Sequence, residues 1–373
     1  MKILIHGGGL QGLSCGQSLY KEHEVSIVAS DLQCRKSKFF RKVYDQYDIK
    51  DGSFLEIFEK EHYDVLIPVS DMCVPFISKN KEEIEKKYNV KVAVPDYKCV
   101  YQVEDKSRFM TFCKENGLPH PTTAPISMDN IDGVAIEIGF PSLIKPDFSV
   151  GARGITRVNN LDGLKEKLPA IIHDFGSCTL QEFIENQEYY YNVMMYRNAE
   201  GKILACATIK IVRMYPVKAG SSSCCISVDV PELTAICKDA LDKLNWVGMA
   251  DFDVLQRLDN GEFKIIEINP RVPASLKGAA ISDVNFPEII ARDVMGFPAK
   301  EYKYSTGRVM RYMGIDIMWL LKTKRLFGNT PSWLSFFGSK IYYQDIYASD
   351  CSTWWTWLAE GVAKLGKRNK KLR

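Results

Sequence analysis

Residues 265–271 have the sequence Ile-Ile-Glu-Ile-Asn-Pro-Arg, an apolar strand with an acid and an amide two positions apart. Side chains at i and i+2 of a strand share a face, so Glu267 and Asn269 are predicted to point the same way. An Asp-Asn-Gly turn pairs this strand with Ala250–Leu258, and the hairpin brings Asp253 to the same place. Carboxylate and amide oxygens are the ligands that Mg²⁺ prefers. The hairpin therefore predicts a magnesium site of Asp253, Glu267 and Asn269.

Two lysines and a glycine-bearing loop precede this hairpin. Lys106 follows Asp105 at the start of a predicted helix, and Lys145 ends an apolar strand. The loop Ser149-Val-Gly151-Ala-Arg153-Gly154-Ile comes next. Backbone N–H groups of such a loop can surround phosphate oxygens. These parts, in this order, predict a nucleotide clamp.

The amino-terminal third alternates strands and helices, which predicts a doubly wound parallel sheet. Gly7-x-Gly9-x-x-Gly12 lies between the strand Lys2–His6 and a helix, and Asp31 follows the second strand. This pattern is the fingerprint of a dinucleotide-binding turn and indicates an NAD(P)-dependent oxidoreductase. The alternative is that the glycines only allow a sharp turn from strand to helix.

The chain divides into three predicted regions. Residues 1–95 form the α/β unit, and residues 96–300 form an α+β region with a second hairpin from Tyr189–Arg197 and Ile203–Ile211. Residues 301–373, rich in Trp, Tyr, Phe and Lys, are predicted to form a separate appendage.

Composition excludes several classes of protein. The 49 basic residues are nearly balanced by 46 acidic ones, so a nucleic-acid surface is not expected. No apolar run approaches the roughly 20 residues needed to cross a bilayer. The amino terminus enters a strand at once, which leaves no room for a signal peptide. The 11 cysteines are scattered without a CxxC pair, as expected of reduced thiols in a cytoplasmic protein.

Taken together, the motifs resemble the ATP-grasp superfamily, and within it the carbamoyl phosphate synthase large chain and related carboxylate–amine ligases, D-aspartate ligase among them. The resemblance covers residues 1 to about 300. It is carried by Glu267–Arg271, by Phe140–Pro146 with Gly151–Gly154, and by the segment Leu180–Tyr189. The glycine motif then fits a Rossmann-like domain that precedes the ATP-grasp fold, whose two α+β subdomains clamp ATP.

The resemblance implies a role for each matching residue. Lys106 and Lys145 would contact ATP phosphates, together with the loop residues Ser149, Gly151, Arg153 and Gly154. The adenine would meet Glu182, Phe183 and Ile184, and Glu188 would hold the ribose. Asp253, Glu267 and Asn269 would bind two Mg²⁺ ions, with Mn²⁺ as an alternative. Arg271 would stabilise the developing acyl phosphate, and Arg213 matches a region that often carries a basic residue for substrate or phosphate.

The expected reaction is the ATP-dependent joining of a carboxylate to an amine through an acyl phosphate, with release of ADP and phosphate. An ATP-dependent carboxylase or a carbamoyl-phosphate-forming enzyme is the first alternative, and the oxidoreductase is the second. Substrate specificity is expected to depend on the amino-terminal crevice, including Ser70–Asp71, and on Lys277–Asn285.

The carboxyl-terminal region suggests a further partner. Residues 315–337 mix aromatic and aliphatic side chains with Lys322, Lys324 and Arg325, and six of the last ten residues are basic. This composition is typical of a surface that lies on an anionic bilayer, which would place the enzyme at the inner face of a membrane. The alternative is that the aromatic residues pack on the ligase core and that the basic end is a solvated terminus.

Overall fold

The amino-terminal region forms a five-stranded sheet in a computed structural model that describes residues 1–48, 52–148, 153–186, 188–217, 220–298, 300, 302–344 and 350. The sheet is entirely parallel, with strand order β3-β2-β1-β4-β5, which confirms the predicted doubly wound unit. Its elements are β1 Lys2–His6, α1 Gly9–Leu19, β2 Glu24–Val28, α2 Leu32–Lys36, β3 Lys42–Tyr44, a 3-10 turn Gly52–Leu55, α3 Glu56–Lys60, β4 Val65–Pro68, α4 Val74–Lys79, α5 Lys81–Tyr88 and β5 Lys91–Val92.

A small antiparallel sheet follows, with strand order β6-β9-β7-β8. Its inner face packs against two helices through a core that includes Ile144, Leu164 and Leu180. The elements of this region are α6 Tyr97–Glu104, α7 Lys106–Glu115, β6 Thr123–Ile126, α8 Ile131–Ile138, β7 Ser142–Pro146, β8 Thr156–Val158, α9 Leu161–Phe175 and β9 Cys178–Glu182.

The third sheet has seven strands in the order β14-β13-β10-β11-β12-β15-β16. Both predicted hairpins, β10–β11 and β13–β14, are present in it. Its elements are β10 Tyr190–Arg197, β11 Ile203–Tyr215, β12 Ser221–Val228, α10 Pro231–Lys243, β13 Gly248–Gln256, β14 Phe263–Asn269, α11 Leu276–Ala280, α12 Phe286–Val294, β15 Val309–Arg311, α13 Met313–Thr323 and β16 Ile341–Tyr343.

Alternating side chains place the two faces of the large sheet in different cores. Met194 and Ile209 face α11, α12 and the amino-terminal sheet, whereas Val193 and Phe252 face α6, α7 and α10. Successive residues of a strand point to opposite faces, so each strand contributes to both cores. The acidic residues of β13 and β14 consequently lie on the face that looks toward the amino-terminal domain.

The predicted separate appendage is corrected for the described part of residues 301–373. β15 pairs with β12, and β16 extends the same sheet by pairing with β15. Asp316 of α13 is fully buried and binds Arg213 of β11 and Arg311 of β15. Arg213 lies more than a hundred residues away from Asp316, and Arg311 lies on a separate strand. The spacing of these residues in the sequence therefore did not indicate either contact. Residues 345–349 and 351–373 lie outside the described part of the chain.

The helices within the described ranges include none that is both long and apolar enough to cross a membrane.

Candidate active site

The two strands of the β13–β14 hairpin bring four oxygen-bearing side chains together. Asp253 is directly opposite Glu267, and Asp251 is directly opposite Asn269. Asn192 of the neighbouring strand β10 donates hydrogen bonds from Nδ2 to both aspartates. The Nδ2 atom of Asn269 lies 3.3 Å from Asp251 Oδ2. The face predicted from the i, i+2 spacing is therefore present, and Asp251 and Asn192 extend it.

Burial perturbs the acids of this cluster. It raises the pKa of Asp251 to about 7, against the opposing effect of the Arg271 charge. Burial, together with the neighbouring Glu267 carboxylate, also raises the pKa of Asp253 well above its usual range. Buried carboxylates that face one another favour protonation unless a cation joins them. The set of carboxylate and amide oxygens fits Mg²⁺, and Asp253, Glu267 and Asn269 are the residues that would hold it.

Another acidic cluster contains three potential ligand atoms within 4.8 Å of one another, from Glu22, His23 and Glu288. His23 Nε2 lies 2.6 Å from Glu288 Oε2, and Lys300 lies within 3.5 Å of carboxylate oxygens of both glutamates. The lysine already supplies the positive charge that these acids need. This cluster is an ion-pair network between the turn that follows α1, helix α12 and the segment that follows α12.

Lys145 faces the acidic cluster from the small sheet. Its side chain is buried, and Nζ donates a hydrogen bond to Gln181 Oε1 at 3.1 Å. Burial lowers the pKa of Lys145 to about 8, although the charges of Glu267 and Asp253 oppose that shift. A buried ammonium group beside carboxylates is suited to bind a polyphosphate that bridges the two sheets.

A cavity of about 500 Å³ opens beside these residues. Its wall brings together residues that the sequence analysis took from three separate motifs and adds an acid from the amino-terminal domain. The lining residues used below are Lys106, Arg153, Glu267, Asn269, Arg271, Glu104 and Asp71.

Arg271 makes a two-pronged contact with Asp71. Its Nε and Nη2 atoms lie 2.5 and 2.7 Å from the two carboxylate oxygens of Asp71. Nη2 also lies 3.3 Å from Asn269 Oδ1. The contact joins the loop after β4 to the end of β14. Sequence spacing could not reveal this pair because 200 residues separate its members.

The phosphate-loop prediction falls only partly on described residues. Ser149 and Gly151 lie outside them, and Arg153 lines the cavity. Gly154 has φ +76°, and a Cβ there would lie 2.7 Å from Pro146 Cγ. Both the conformation and the close approach require glycine at this position.

The residues predicted for adenine and ribose have protein partners. Glu182 accepts hydrogen bonds from the Thr122 N–H and from Arg257. The ring of Phe183 lies 4.0 Å from the Arg157 guanidinium group, and Ile184 is buried. Their predicted contacts with adenine remain predictions.

Glu188 and Arg213 line a second cavity, of about 270 Å³, instead of the first. Glu188 is half-exposed and lies 2.5 Å from Arg325. Arg213 is buried, with Nε and Nη2 at 2.8 and 3.0 Å from the Asp316 carboxylate. The structure thus separates Arg213 from the residues around Glu267, because its guanidinium group binds a carboxylate that the sequence analysis did not associate with it.

The glycine turn after β1 is closed by Asp31. The Asp31 carboxylate accepts a hydrogen bond from the Gly9 N–H at 3.1 Å. A Cβ at Gly8 would lie only 1.9 Å from Asp31 Oδ2. In a dinucleotide-binding turn this space and these N–H groups serve the pyrophosphate, and the acid reaches the ribose instead. The turn is therefore filled by the chain's own carboxylate.

Comparison with known proteins agrees with this geometry. Residues 103–275 match the family model of the ATP-grasp domain. The carbamoyl phosphate synthase large chain of Bifidobacterium animalis subsp. lactis is 24% identical over 267 residues, which cover 66% of this chain and 23% of that protein. The carbamoyl-phosphate synthase of Methanobrevibacter smithii is 22% identical over 281 residues, 70% of this chain and 74% of that protein.

Solved structures show the same fold. Biotin carboxylase from Campylobacter jejuni, in a complex with β,γ-ATP, superposes with a TM-score of 0.69 at 17% identity, over 81% of this chain and 73% of that one. N5-carboxyaminoimidazole synthetase from Staphylococcus aureus, complexed with ADP, gives a TM-score of 0.67 at 17% identity, over 83% of this chain and 81% of that one.

The chain contains an ATP-grasp domain, preceded by a Rossmann-like parallel sheet. This confirms the predicted fold class and the predicted resemblance. The chain spans 23%, 35% and 40% of the length of three of the carbamoyl phosphate synthase sequences that it matches.

Proposed function

We propose that this protein is an ATP-dependent carboxylate–amine ligase that forms a C–N bond through an acyl phosphate and releases ADP and phosphate. One observation carries the proposal. Asp253 and Glu267 face each other across a hairpin, with Asn269 beside them, and buried Lys145 lies over the group. The ATP-grasp match and the names of the related enzymes support this class of reaction.

The proposed site supplies charge and position rather than a protein nucleophile. A carboxylate is a poor electrophile, and transfer of the γ-phosphoryl group of ATP gives it a leaving group that an amine can displace. Lys145 and Lys106 neutralise the phosphates, and Arg271 stabilises the charge of the acyl phosphate. Asp253, Glu267 and Asn269 would hold the metal, which we propose to be two Mg²⁺ or Mn²⁺ ions and which would supply positive charge to the phosphates.

A screen for ADP release tests this proposal. Purified protein is incubated with Mg·ATP, hydroxylamine and one acid at a time, drawn from the amino acids, small dicarboxylic acids and bicarbonate. Hydroxylamine traps an acyl phosphate as a hydroxamate, so ADP and hydroxamate should form in equal amounts with at least one acid. Release of ADP with bicarbonate as the acid would indicate a carboxylase. If none of the acids in the panel stimulates release of ADP from Mg·ATP, the proposal is contradicted.

We also propose that this enzyme works in the cytoplasm, at the inner face of an anionic membrane. Large apolar side chains in and after α13 are exposed, with Leu321, Phe327 and Phe337 at 67%, 75% and 94% of their full accessibility. Lys322 and Lys324 lie in the same stretch. Exposed apolar groups beside basic ones suit an anionic lipid surface.

Sedimentation with vesicles tests this location. The protein should pellet with vesicles that contain anionic lipid, salt should weaken the binding, and truncation after Ala348 should reduce it. Replacement of Leu321 and Phe337 by serine should reduce it further. A protein that stays in the supernatant at low salt, with or without its carboxyl-terminal segment, would contradict the membrane location.

A further inference from the structure

The amino-terminal sheet offers a crevice for a second ligand. β1 and β4 are neighbours, although the chain goes from β1 to β2 and β3 before it returns to β4. In open parallel sheets, ligands bind outside the carboxyl ends of two such strands. The loops after β1 and β4 meet there, since a Cβ at Gly7 would lie 3.0 Å from Ser70 Cβ. Asp71 follows Ser70 in the β4 loop.

This crevice opens toward the proposed phosphate-transfer centre. Asp71 lines the same cavity of about 500 Å³ as Lys106, Glu267 and Arg271. Its carboxylate holds Arg271, the residue expected to contact the acyl phosphate, at 2.5 and 2.7 Å. About a third of the Asp71 side chain is exposed, against 11% for Arg271. A molecule in the crevice can therefore reach Asp71, beside Arg271.

The charges on the wall indicate what kind of molecule this is. Lys106, Arg153 and Arg271 suit the phosphates, and Glu267 belongs to the metal set. Asp71 and Glu104 also line the cavity but have no part in binding phosphate. Burial raises the pKa of Glu104, and the nearby charge of Arg108 opposes that shift. Arg271 already pairs with Asp71, but about a third of the Asp71 side chain stays exposed, so its carboxylate can also accept a hydrogen bond from a cationic ligand in the cavity.

We propose that Asp71 binds the ammonium group of the amine substrate and takes up its proton. This assignment rests on the proposed function. The ammonium nitrogen cannot attack until it loses a proton, which passes to the Asp71 carboxylate. The nitrogen lone pair then forms the C–N bond, the bond between the acyl carbon and the phosphate oxygen breaks, and the second proton that the nitrogen loses passes to the departing phosphate. Phosphate leaves with that electron pair, while Arg271, released from the neutralised Asp71, balances its charge.

A competing explanation is that Asp71 only holds Arg271 in position. The two explanations differ in how the rate depends on the nucleophile. Hydroxylamine is mostly uncharged near neutral pH, so it needs neither an ammonium site nor a proton acceptor to attack. Ammonium and the amino groups of amino acids are charged and need both. A residue that only positions Arg271 would matter equally for all of them.

The experiment compares the wild type with Asp71→Asn, Asp71→Glu and the control Glu82→Gln, an exposed acid of α5. Each protein receives Mg·ATP and the acid that gives most hydroxamate in the wild type. The nucleophile is hydroxylamine, ammonium chloride or one of the twenty common amino acids. The kcat/KM of Asp71→Asn for the preferred amine should fall at least about thirtyfold more than its rate of hydroxamate formation, whatever loss of the latter follows from the weakened contact with Arg271. Asp71→Glu should restore most of that loss, and Glu82→Gln should change neither rate.

Other outcomes overturn the assignment. Equal losses with hydroxylamine and with the amine would reduce Asp71 to a positioning residue for Arg271, and unchanged rates with both would remove it from the site. Hydroxamate without any amine-dependent product in the wild type would show that the second substrate is not a primary ammonium compound. Absence of hydroxamate in the wild type would contradict the proposed function itself, and the assignment with it.

Discussion

At the scale of single residues, the environment of a side chain decides its chemistry more than its type does. Lys145 is the clearest case, because the strand that carries it was predictable and its burial was not. The spacing of Glu267 and Asn269 predicted that they share a face, since that follows from strand geometry alone. The contacts of Gln181 with Lys145, of Asn192 with Asp253 and of Asp71 with Arg271 were missed because the two residues of each pair lie far apart in sequence.

The depressed pKa of Lys145 predicts how nucleotide binding depends on pH. Because burial lowers that pKa to about 8, the free protein loses the lysine charge above this pH. Bound phosphate favours the charged form, so binding above pH 8 requires uptake of a proton. The affinity for Mg·ADP should therefore fall about tenfold per pH unit above pH 8. Calorimetry in buffers of different ionisation enthalpy measures the proton uptake.

Lys145→Met should bind Mg·ADP more weakly at every pH and should show no such uptake. Lys114→Met, at an exposed lysine of α7, is the matched control and should behave as the wild type. An affinity in the wild type that stays constant between pH 7.5 and 9.5 would show that Lys145 does not hold the phosphates.

His6 predicts an acid-sensitive stability. Its ring is fully buried against Phe54, neither ring nitrogen has a hydrogen-bond partner within the described residues, and burial lowers its pKa to about 4. Between pH 6.5 and 4 the unfolded chain binds a proton that the folded protein excludes. The free energy of unfolding therefore falls as pH falls, by about 2 kcal/mol between pH 6.5 and 5.

Urea denaturation at pH 7 and pH 5 measures this effect as a difference between variants. His6→Leu should lose about 2 kcal/mol less than the wild type between these two pH values. His62→Gln, at an exposed histidine, should match the wild type. Equal losses in the wild type and His6→Leu would show that His6 is not protonated on unfolding.

At the scale of elements, local patterns predicted the strands and helices that the chain forms. Contacts with residues distant in sequence determine how these elements pack together. The hairpin β13–β14 has a strong turn signal, so the pairing of its strands was predictable, whereas the irregular register between Asp253 and Val254 was not. α13 and β15 carry aromatic and basic residues that suggested an independent appendage. Their burial against β11 and β12 depends on Asp316, whose two arginine partners no local pattern indicates.

The buried group of Asp316, Arg213 and Arg311 should be costly to break. Asp316 is fully buried and binds both guanidinium groups through its two oxygens. Asp316→Asn would leave two buried arginines facing an uncharged amide, which should lower the free energy of unfolding by about 3–5 kcal/mol. Chemical denaturation followed by circular dichroism measures the loss.

The matched control is Asp239→Asn, which breaks an exposed pair with Lys243 on α10. It should cost less than about 1 kcal/mol. A loss for Asp316→Asn as small as that of the control would contradict a stabilising role for the buried contact of α13 with β11 and β15.

At the scale of the whole molecule, the glycine fingerprint favoured an NAD(P)-dependent oxidoreductase, whereas the motifs in the rest of the chain favoured an ATP-grasp ligase. The sequence could show that Gly7–Gly12 forms a strand-to-helix turn. It could not show that the Asp31 carboxylate fills that turn, because this depends on the distance between two loops. The order of the remaining motifs along the chain predicted the ATP-grasp fold correctly, because each of these motifs contributes residues to the same cleft.

Binding of nucleotides separates the two classes of enzyme. Isothermal titration should detect Mg·ADP at one site per chain and should detect neither NAD nor NADP at millimolar concentration. Asp31→Ala removes the carboxylate from the turn and is the informative variant, because it tests whether that group excludes a pyrophosphate. Stoichiometric binding of a dinucleotide to the wild type would contradict the ligase and support an oxidoreductase.

The most direct test of the central claim is the Mg²⁺-dependent release of ADP by the wild type and by Glu267→Gln. Glu262→Gln, at an exposed glutamate one residue before β14, serves as the matched control. Replacement of the charged carboxylate by a neutral amide should cost several kcal/mol of transition-state stabilisation, so Glu267→Gln should retain less than about a hundredth of wild-type turnover. Its circular dichroism melt should stay within a few degrees of the wild type. Turnover above a tenth of wild type in Glu267→Gln would contradict the claim that the β13–β14 hairpin is the centre of phosphoryl transfer.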